Sequence, residues 1–141
     1  MRFMMLMIPK VYQAGAGFAP SAEAVQKMTK YNEELAKAGV MLAGEGLHPS
    51  SKGKRVKFMG GKTTVMDGPF AETKELIAGF WLWQVKSMDE AVGWLKRAPF
   101  DGGAEIEIRP VFETEDFAPV LTPELRQQEE RLRAQLAANA R

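Results

Sequence analysis

One segment of this chain, residues 79–85, constrains the fold most, because a strand formed there is apolar on both of its faces. Aromatic and β-branched side chains favour a strand, in which alternate residues point to opposite faces. Phe80 and Leu82 would share one face, and Trp81 and Trp83 would share the other. A strand that is apolar on both faces must be covered on both, which predicts a sheet buried from two sides.

The N-terminal residues 3–8 predict a second strand of the same kind, since Phe3 and Met5 lie opposite Met4 and Leu6. A chain of 141 residues has the size of one domain, and its helices are expected to cover only one face of the sheet. Another sheet or another subunit must then cover the second face. We therefore predict a homodimer in which the bare faces meet and enclose either a solid core or a ligand cavity.

Capping and turn residues mark several of the other elements. Ser21 begins a first helix, and a capping box of Ser87 and Glu90 begins a second. Between the two helices, Gly60 and Gly61 join two short alternating segments into a β-hairpin. The hairpin leads directly to the turn that precedes the central strand.

The predicted second strand contains Gly44 and Gly46, which indicate a close backbone approach or a bulge. Beyond the last strand, Thr122 begins a third helix. The order strand, helix, strand, hairpin, strand, helix, strand is the βαββαβ pattern of a ferredoxin-like α+β sheet with an inserted hairpin. Residues 1–115 are predicted to form this domain, and residues 116–141 a C-terminal helical extension.

The composition excludes several classes of function. Nineteen basic and eighteen acidic residues leave a net charge of +1, so we expect neither nucleic acid nor a membrane surface as a partner. The chain has no cysteine and one histidine, which removes thiolate sites and any paired-histidine spacing for a metal. Gly15 and Gly17 lack the third glycine and the lysine of nucleotide-binding loops. We therefore expect no cofactor, and the absence of cysteine fits a cytoplasmic protein.

The sequence Asp67-Gly68-Pro69 predicts a chain reversal that ends the strand preceding it. Asp67 would hydrogen-bond the amides that follow it, and Gly68 would take unusual backbone angles. Phe70 is apolar enough to anchor the loop to the core. The next four polar residues form either a functional cluster on this loop or a solvated surface turn: Glu72, Thr73, Lys74 and Glu75.

The sequence DGPFAETKE, followed by a glycine-aromatic strand and by EIEIRPV, resembles the DGPF subgroup of the YCII-related family. The resemblance extends from the first strand to about Glu115, and it implies a dimeric ferredoxin-like fold with a cleft between the subunits. Some relatives are dehydrochlorinases of chlorinated, hydroxylated aromatic compounds, and a histidine–aspartate pair is the proposed active site of the family. The association of DGPF members with extracytoplasmic-type sigma factors implies a regulatory context.

Only one histidine is available for the implied pair. Shorter family members carry theirs near the first strand and helix, where this chain has none, whereas His48 follows the second strand. Asp67 is the aspartate of the motif. Together the two residues would form a general base and the carboxylate that orients it. The alternative is that His48 is a solvated residue at the end of a strand, beside Pro49.

Two functions of different classes are open to this chain. The first is a cofactor-independent lyase or isomerase acting on a small hydroxylated, aromatic compound, in which His48 abstracts a proton and Asp67 orients the His48 imidazole. Substrate contacts would come from Glu72, Lys74, Glu75, Trp81, Trp83 and Arg109. The second is a non-catalytic module that senses a ligand or binds a protein, in which the same cavity binds and the C-terminal helix contacts a partner.

Overall fold

The structure is a computed structural model, and it describes four stretches of the chain: residues 1–8, 21–70, 76–100 and 104–140. The predicted loop after the first strand lies outside the described residues, and so do Glu72, Lys74 and Glu75 of the polar cluster. Within the described stretches, no helix is long and apolar enough to cross a membrane.

The chain forms two compact units, Met1–Val111 and Phe112–Arg141, so the division comes shortly before the boundary predicted between residues 115 and 116. The first unit contains, in chain order, β1 (Arg2–Ile8), α1 (Ala22–Lys37), β2 (Met41–Gly46), β3 (Lys54–Met59), β4 (Lys62–Asp67), β5 (Gly79–Gln84), α2 (Met88–Leu95) and β6 (Glu105–Pro110). A short 3-10 turn, Ser50–Lys52, lies between β2 and β3. The second unit contains a 3-10 segment, Thr114–Val120, and α3 (Pro123–Asn139).

The strands form two antiparallel sheets, with the order β2-β5-β1-β6 in the larger and β3-β4 in the smaller. In the larger sheet, Met5 of β1 lies between Trp81 of β5 and Ile108 of β6. In the smaller sheet, Lys54 lies opposite Asp67 at the base of the hairpin. The prediction of a mixed α+β fold with a hairpin inserted before the central strand is therefore confirmed.

One face of the larger sheet packs against α1 and α2. The ring of Trp81 contacts that of Tyr31 edge-on with 5.7 Å between the centroids, and its Nε1 donates a hydrogen bond to Asn32 Oδ1 at 3.0 Å. A Cβ on Gly44 would lie 2.5 Å from Cδ1 of Trp81, so the predicted close approach is confirmed, and a bulge in β2 accompanies it. The buried core on this face comprises Phe3, Met5, Tyr31, Leu35, Val40, Trp81, Trp83, Val85 and Ala91.

Side-chain caps begin the three helices as predicted. The hydroxyl oxygens of Ser21 and Thr122 each accept from the backbone amide three residues further on, at 3.1 Å. Ser87 Oγ accepts from the amide of Glu90 at 3.1 Å. The carboxylate of Glu90, however, accepts from the amide of Lys86 at 2.8 Å and not from that of Ser87, so the reciprocal half of the capping box closes one residue early.

Candidate functional site

The turn after β4 is shaped by a close approach of two backbone segments. The amide of Gly68 donates to the carbonyl oxygen of Gly53 at 3.0 Å, and a Cβ on Gly68 would lie 1.8 Å from the carbonyl oxygen of Ser50. The prediction of unusual backbone angles at Gly68 is wrong, because the described glycines with positive φ lie elsewhere in the chain. Glycine is required here by the space available to a side chain.

Phe70 anchors the turn to β3 and to the 3-10 turn, and it is not part of the buried core. Its backbone amide donates to Ser50 Oγ at 3.1 Å. The guanidinium carbon of Arg55 lies 4.0 Å from the centroid of the Phe70 ring, which is a cation–π contact. The turn is therefore held at three points, through Gly68, the Phe70 amide and the Phe70 ring.

Asp67, the predicted partner of the histidine, is paired with a lysine instead. Its carboxylate accepts a hydrogen bond from Nζ of Lys54, which lies opposite it in the hairpin. The Lys54 and Asp67 side chains are 65% and 75% exposed, so this ion pair adds little stability. The amides of Gly68 and Phe70 donate to Gly53 and Ser50 in the loop before β3. Contrary to the prediction, neither of these two amides donates to the Asp67 carboxylate.

His48 is exposed and lies two residues beyond the end of β2. In the part of the chain that the structure describes, no hydrogen bond or ion pair joins His48 to Asp67. The loop that carries His48 is nevertheless tied to the turn, because Ser50 and Gly53 accept hydrogen bonds from that turn. The two segments are joined, while the catalytic pair itself stays a prediction.

The predicted substrate contacts are divided between the two faces of the larger sheet. Trp81 and Trp83 are 2% and 0% exposed on the helix-covered face. Among the described residues, Nε1 of Trp83 is buried without a hydrogen-bond partner. Arg109 lies on the opposite face, where its Nε is 3.8 Å from Oε2 of Glu107. The structure therefore does not bring Arg109 together with the two tryptophans, which are core side chains.

Both helices of the first unit pack on the core face, so among the described residues of that unit the other face carries no helix. We call it the helix-free face, and it consists of the residues that alternate with the core side chains. The strand register sets Met4 beside Leu82 and Leu6 beside Phe80. These side chains are partly buried, in contrast to the fully buried residues behind them. We call the following set the apolar stripe: Met4, Leu6, Ile8, Phe80 and Leu82.

Charged residues border the apolar stripe on both sides. Along one side, β6 contributes Glu105, Glu107 and Arg109, which alternate with isoleucines that pack on the core. Along the other side, β2 contributes Glu45, opposite Phe80. We call these four charged residues the polar border. The alternation in β6 was readable from the sequence, whereas Glu45 was missed because the bulge in β2 changes which residues share a face.

An apolar surface with a few separated polar groups has the composition of a small-molecule site. The carboxylates of the polar border accept hydrogen bonds, and the Arg109 guanidinium donates them. A metal is not supported by the geometry, because no group of three or more His, Asp or Glu side chains within residues 1–8, 21–70, 76–100 and 104–140 is placed to hold one.

The described part of the first unit is an α+β domain whose two helices pack on one face of its larger sheet. The model of the YCII-related domain matches residues 1–115, and the chain belongs to this family. An uncharacterised protein of Rhizobium meliloti (strain 1021) is 44% identical to it over 50 residues. That match covers 36% of this chain and 40% of the relative, so the chain spans well under half of the relative's length.

Proposed function

We propose that the protein is a small-molecule-binding module that works as a homodimer and holds an apolar, hydroxyl-bearing compound on the helix-free face of its sheet. The observation that carries this proposal is the placement of Glu45 on one side of the apolar stripe and of Glu105, Glu107 and Arg109 on the other. Polar groups on both sides of an apolar floor can orient a bound molecule, which an uninterrupted apolar surface cannot do.

The charges of the polar border favour hydrogen-bond donors on the ligand. Three of its four members are carboxylates, and the Arg109 guanidinium lies 3.8 Å from one of them, Glu107. A phenolic or alcoholic hydroxyl donates to a carboxylate without bringing a further negative charge into the site. A hydroxylated aromatic compound combines such a donor with a flat surface that fits the apolar stripe.

A second copy of the chain supplies the cover that such a site needs. The apolar stripe alone forms a floor, whereas small-molecule sites bury most of the surface of their ligand. A symmetric dimer over this face encloses two equivalent sites. The strand order β2-β5-β1-β6 supports a ferredoxin-like arrangement, and the DGPF sequence at residues 67–70 supports placement in the DGPF subgroup, with a ligand-sensing role in regulation.

Thermal stabilisation by a panel of hydroxylated aromatic compounds tests this proposal. A ligand that binds only the folded protein raises its melting temperature in proportion to the logarithm of the ligand concentration. We expect at least one compound to do so with the wild type, and Glu107→Gln to lose most of that shift because its carboxylate is replaced by an amide.

The matched control is Glu33→Gln, which changes an exposed carboxylate on α1, a helix that packs on the opposite face of the sheet. It is expected to retain the full ligand-induced shift. Equal shifts in Glu107→Gln and in the wild type would move the site away from the polar border. A panel that stabilises no variant at all would contradict small-molecule binding of this class.

The lyase or isomerase remains a second candidate, because hydrogen bonds from the 67–70 turn to Ser50 and Gly53 tie together the segments that carry His48 and Asp67. The proton NMR spectrum of the sole histidine, recorded at one fixed pH, separates this candidate from the binding module. If Asp67 orients His48, Asp67→Asn changes the chemical shifts of the imidazole ring protons, because the ring loses its hydrogen-bond partner. Superimposable spectra for the two proteins would leave the catalytic candidate without its pair.

A further inference from the structure

The β3–β4 hairpin is a two-stranded sheet that is almost entirely exposed. Arg55 is its one partly buried residue, and Phe58 near its tip is 78% exposed. An isolated two-stranded hairpin is marginally stable in water, and such a structure persists when another surface packs against it. The hairpin also pairs with no strand of the larger sheet among the described residues. It therefore needs a packing partner.

The register of the hairpin separates an apolar face from a basic one. On the first face, Val56 lies opposite Val65 and Phe58 lies opposite Thr63, and the Lys54–Asp67 ion pair lies at the base of the hairpin on the same side. Val56 and Val65 are 50% and 59% exposed. We call this surface the Phe58 face. The other face carries Arg55, Lys57, Met59, Lys62, Thr64 and Met66.

The charge of this region is opposite to that of the remaining chain. Residues 50–67 contain five of the nineteen basic residues and one of the eighteen acidic residues, a net charge of +4. The other residues therefore carry fourteen basic and seventeen acidic side chains, a net charge of −3. Lys57 and Lys62 form no ion pair with another described residue. The acidic members of the polar border supply complementary charge on a second copy of the same chain.

The dimensions of the two surfaces also match. Each hairpin strand has six residues, so the hairpin is about 20 Å long at roughly 3.4 Å per residue. The four strands of the larger sheet span about 14 Å from one edge strand to the other. A hairpin of this length can cross the whole helix-free face. Lys57 and Lys62 project from the face opposite the Phe58 face. Because both strands of the hairpin are edge strands, the long side chains of these lysines can extend past the edge of the hairpin to the polar border.

We propose that the hairpin of one protomer lies across the helix-free face of its partner, with the Phe58 face against the apolar stripe. Each protomer then covers the ligand site of the other and contributes side chains to it. This inference rests on the proposed function for the location of that site. A second copy is favoured over another partner because the hairpin needs a packing surface whenever it is folded, and a second copy is present whenever the chain is made.

Cross-linking tests the arrangement directly, because the natural chain contains no cysteine. Val56→Cys and Leu6→Cys proteins, one of them carrying an affinity tag, are refolded together and oxidised with diamide. We expect a disulfide between Val56→Cys of one chain and Leu6→Cys of the other. The matched control replaces Val56→Cys by Val25→Cys on α1, where the wild-type valine is 48% exposed, and it should cross-link at least about tenfold less. Equal yields in the two mixtures would overturn the proposal.

Sedimentation equilibrium at micromolar concentration provides an independent readout. The wild type should be a dimer, and Phe58→Ser should weaken the dimer by more than about tenfold, because a buried aromatic residue contributes much of the affinity of an interface. Val25→Ser should leave the dimer unchanged. A monomeric wild type, or a Phe58→Ser dimer as tight as the wild type, would show that the hairpin does not join two chains.

An anionic membrane is the other surface that an apolar, basic hairpin would fit. Co-sedimentation with vesicles of phosphatidylglycerol and phosphatidylcholine measures this directly. Vesicle binding by a monomeric wild type, lost in Phe58→Ser, would overturn the proposal in favour of lipid.

The cross-link and the ligand-induced shift in melting temperature test the two proposals separately. If the cross-link fails while the wild type still shows a ligand-induced shift that Glu107→Gln loses, the hairpin arrangement alone is rejected. A cross-link without any ligand shift would reject the small-molecule site alone.

Discussion

The two faces of the larger sheet are made by the same strands and differ in almost every physical respect. On the helix-covered face, Met5, Trp81 and Trp83 are at most 2% exposed and pack against α1 and α2. Met4 and Leu82 are each one position away from these residues in the same strands, and they point to the helix-free face. They are only partly buried there, and charged side chains border that face at both edges. A shift of one position therefore separates the folding core from the candidate site.

This difference assigns separate tasks to neighbouring residues. The covered face is closed and apolar, so a change there acts first on the stability of the first unit. The helix-free face is open and bordered by charges, so a change there should act on association and ligand binding.

The largest expected effect comes from truncating a side chain at the centre of the covered face. Trp83→Ala should lower the free energy of unfolding by about 3 to 5 kcal/mol, because it removes a fully buried ring and leaves a cavity. Leu82→Ala, one residue away on the helix-free face, should cost about 1 to 2 kcal/mol because its side chain is only partly buried. Urea unfolding of the two variants measures both values.

Protein concentration sharpens this comparison. If a second copy covers the apolar stripe, the loss caused by Leu82→Ala grows as the concentration passes the dimer dissociation constant, while the loss caused by Trp83→Ala stays constant. Equal losses for the two variants at low concentration would show that the two faces are equally buried within one chain.

The outline of this fold could be predicted from local sequence signals. The caps at Ser21 and Thr122 and the alternation in β6 depend on residues close in the chain, and the structure contains all of them. The face on which the helices pack was not predictable in this way. Alternation groups Trp81 with Trp83, but it does not show which group the helices cover, so the sequence alone also allows both side chains to contact a substrate.

The candidate site was less predictable because its features depend on distant parts of the chain. Gly68 needs to be glycine because of Ser50, a neighbour eighteen positions earlier that no local pattern reveals. Asp67 pairs with Lys54 through the register of the hairpin, and Glu45 joins the polar border through a bulge. Each of these three contacts depends on strand pairing or on a contact between loops, and neither can be read from the spacing of residues in the sequence.

A second prediction concerns pH and the covered face. Tyr31 is 4% exposed and donates a hydrogen bond to the carbonyl oxygen of Trp94. Burial raises the pKa of Tyr31 to about 12 from the ordinary value of 10.0, with Arg97 lowering it and Glu34 raising it by smaller amounts. The neutral phenol is therefore favoured by folding. This stabilisation is fully present below pH 10 and is lost as the pH rises towards about 12.

The loss should amount to about 2 to 3 kcal/mol and can be measured by urea unfolding between pH 9 and about pH 12. Tyr31→Phe is the control, because it keeps the ring and cannot ionise. Its stability should fall less over the same range, and the difference between the two curves isolates Tyr31. Parallel curves would mean that the phenol is accessible to water, which would break the contrast between a closed face and an open one.

A third prediction tests whether the 67–70 turn is held as tightly as the covered face. Gly68→Ala places a Cβ that would lie 1.8 Å from the Ser50 carbonyl oxygen, so the two backbone segments must separate. We expect a loss of about 1 to 3 kcal/mol, typical of overpacking at a rigid contact. Gly46→Ala is the matched control, because a Cβ at the end of β2 meets nothing within 4 Å. A Gly68→Ala protein as stable as Gly46→Ala would show that the turn moves away freely, and that its hydrogen bonds to Ser50 and Gly53 do not fix the base of the hairpin.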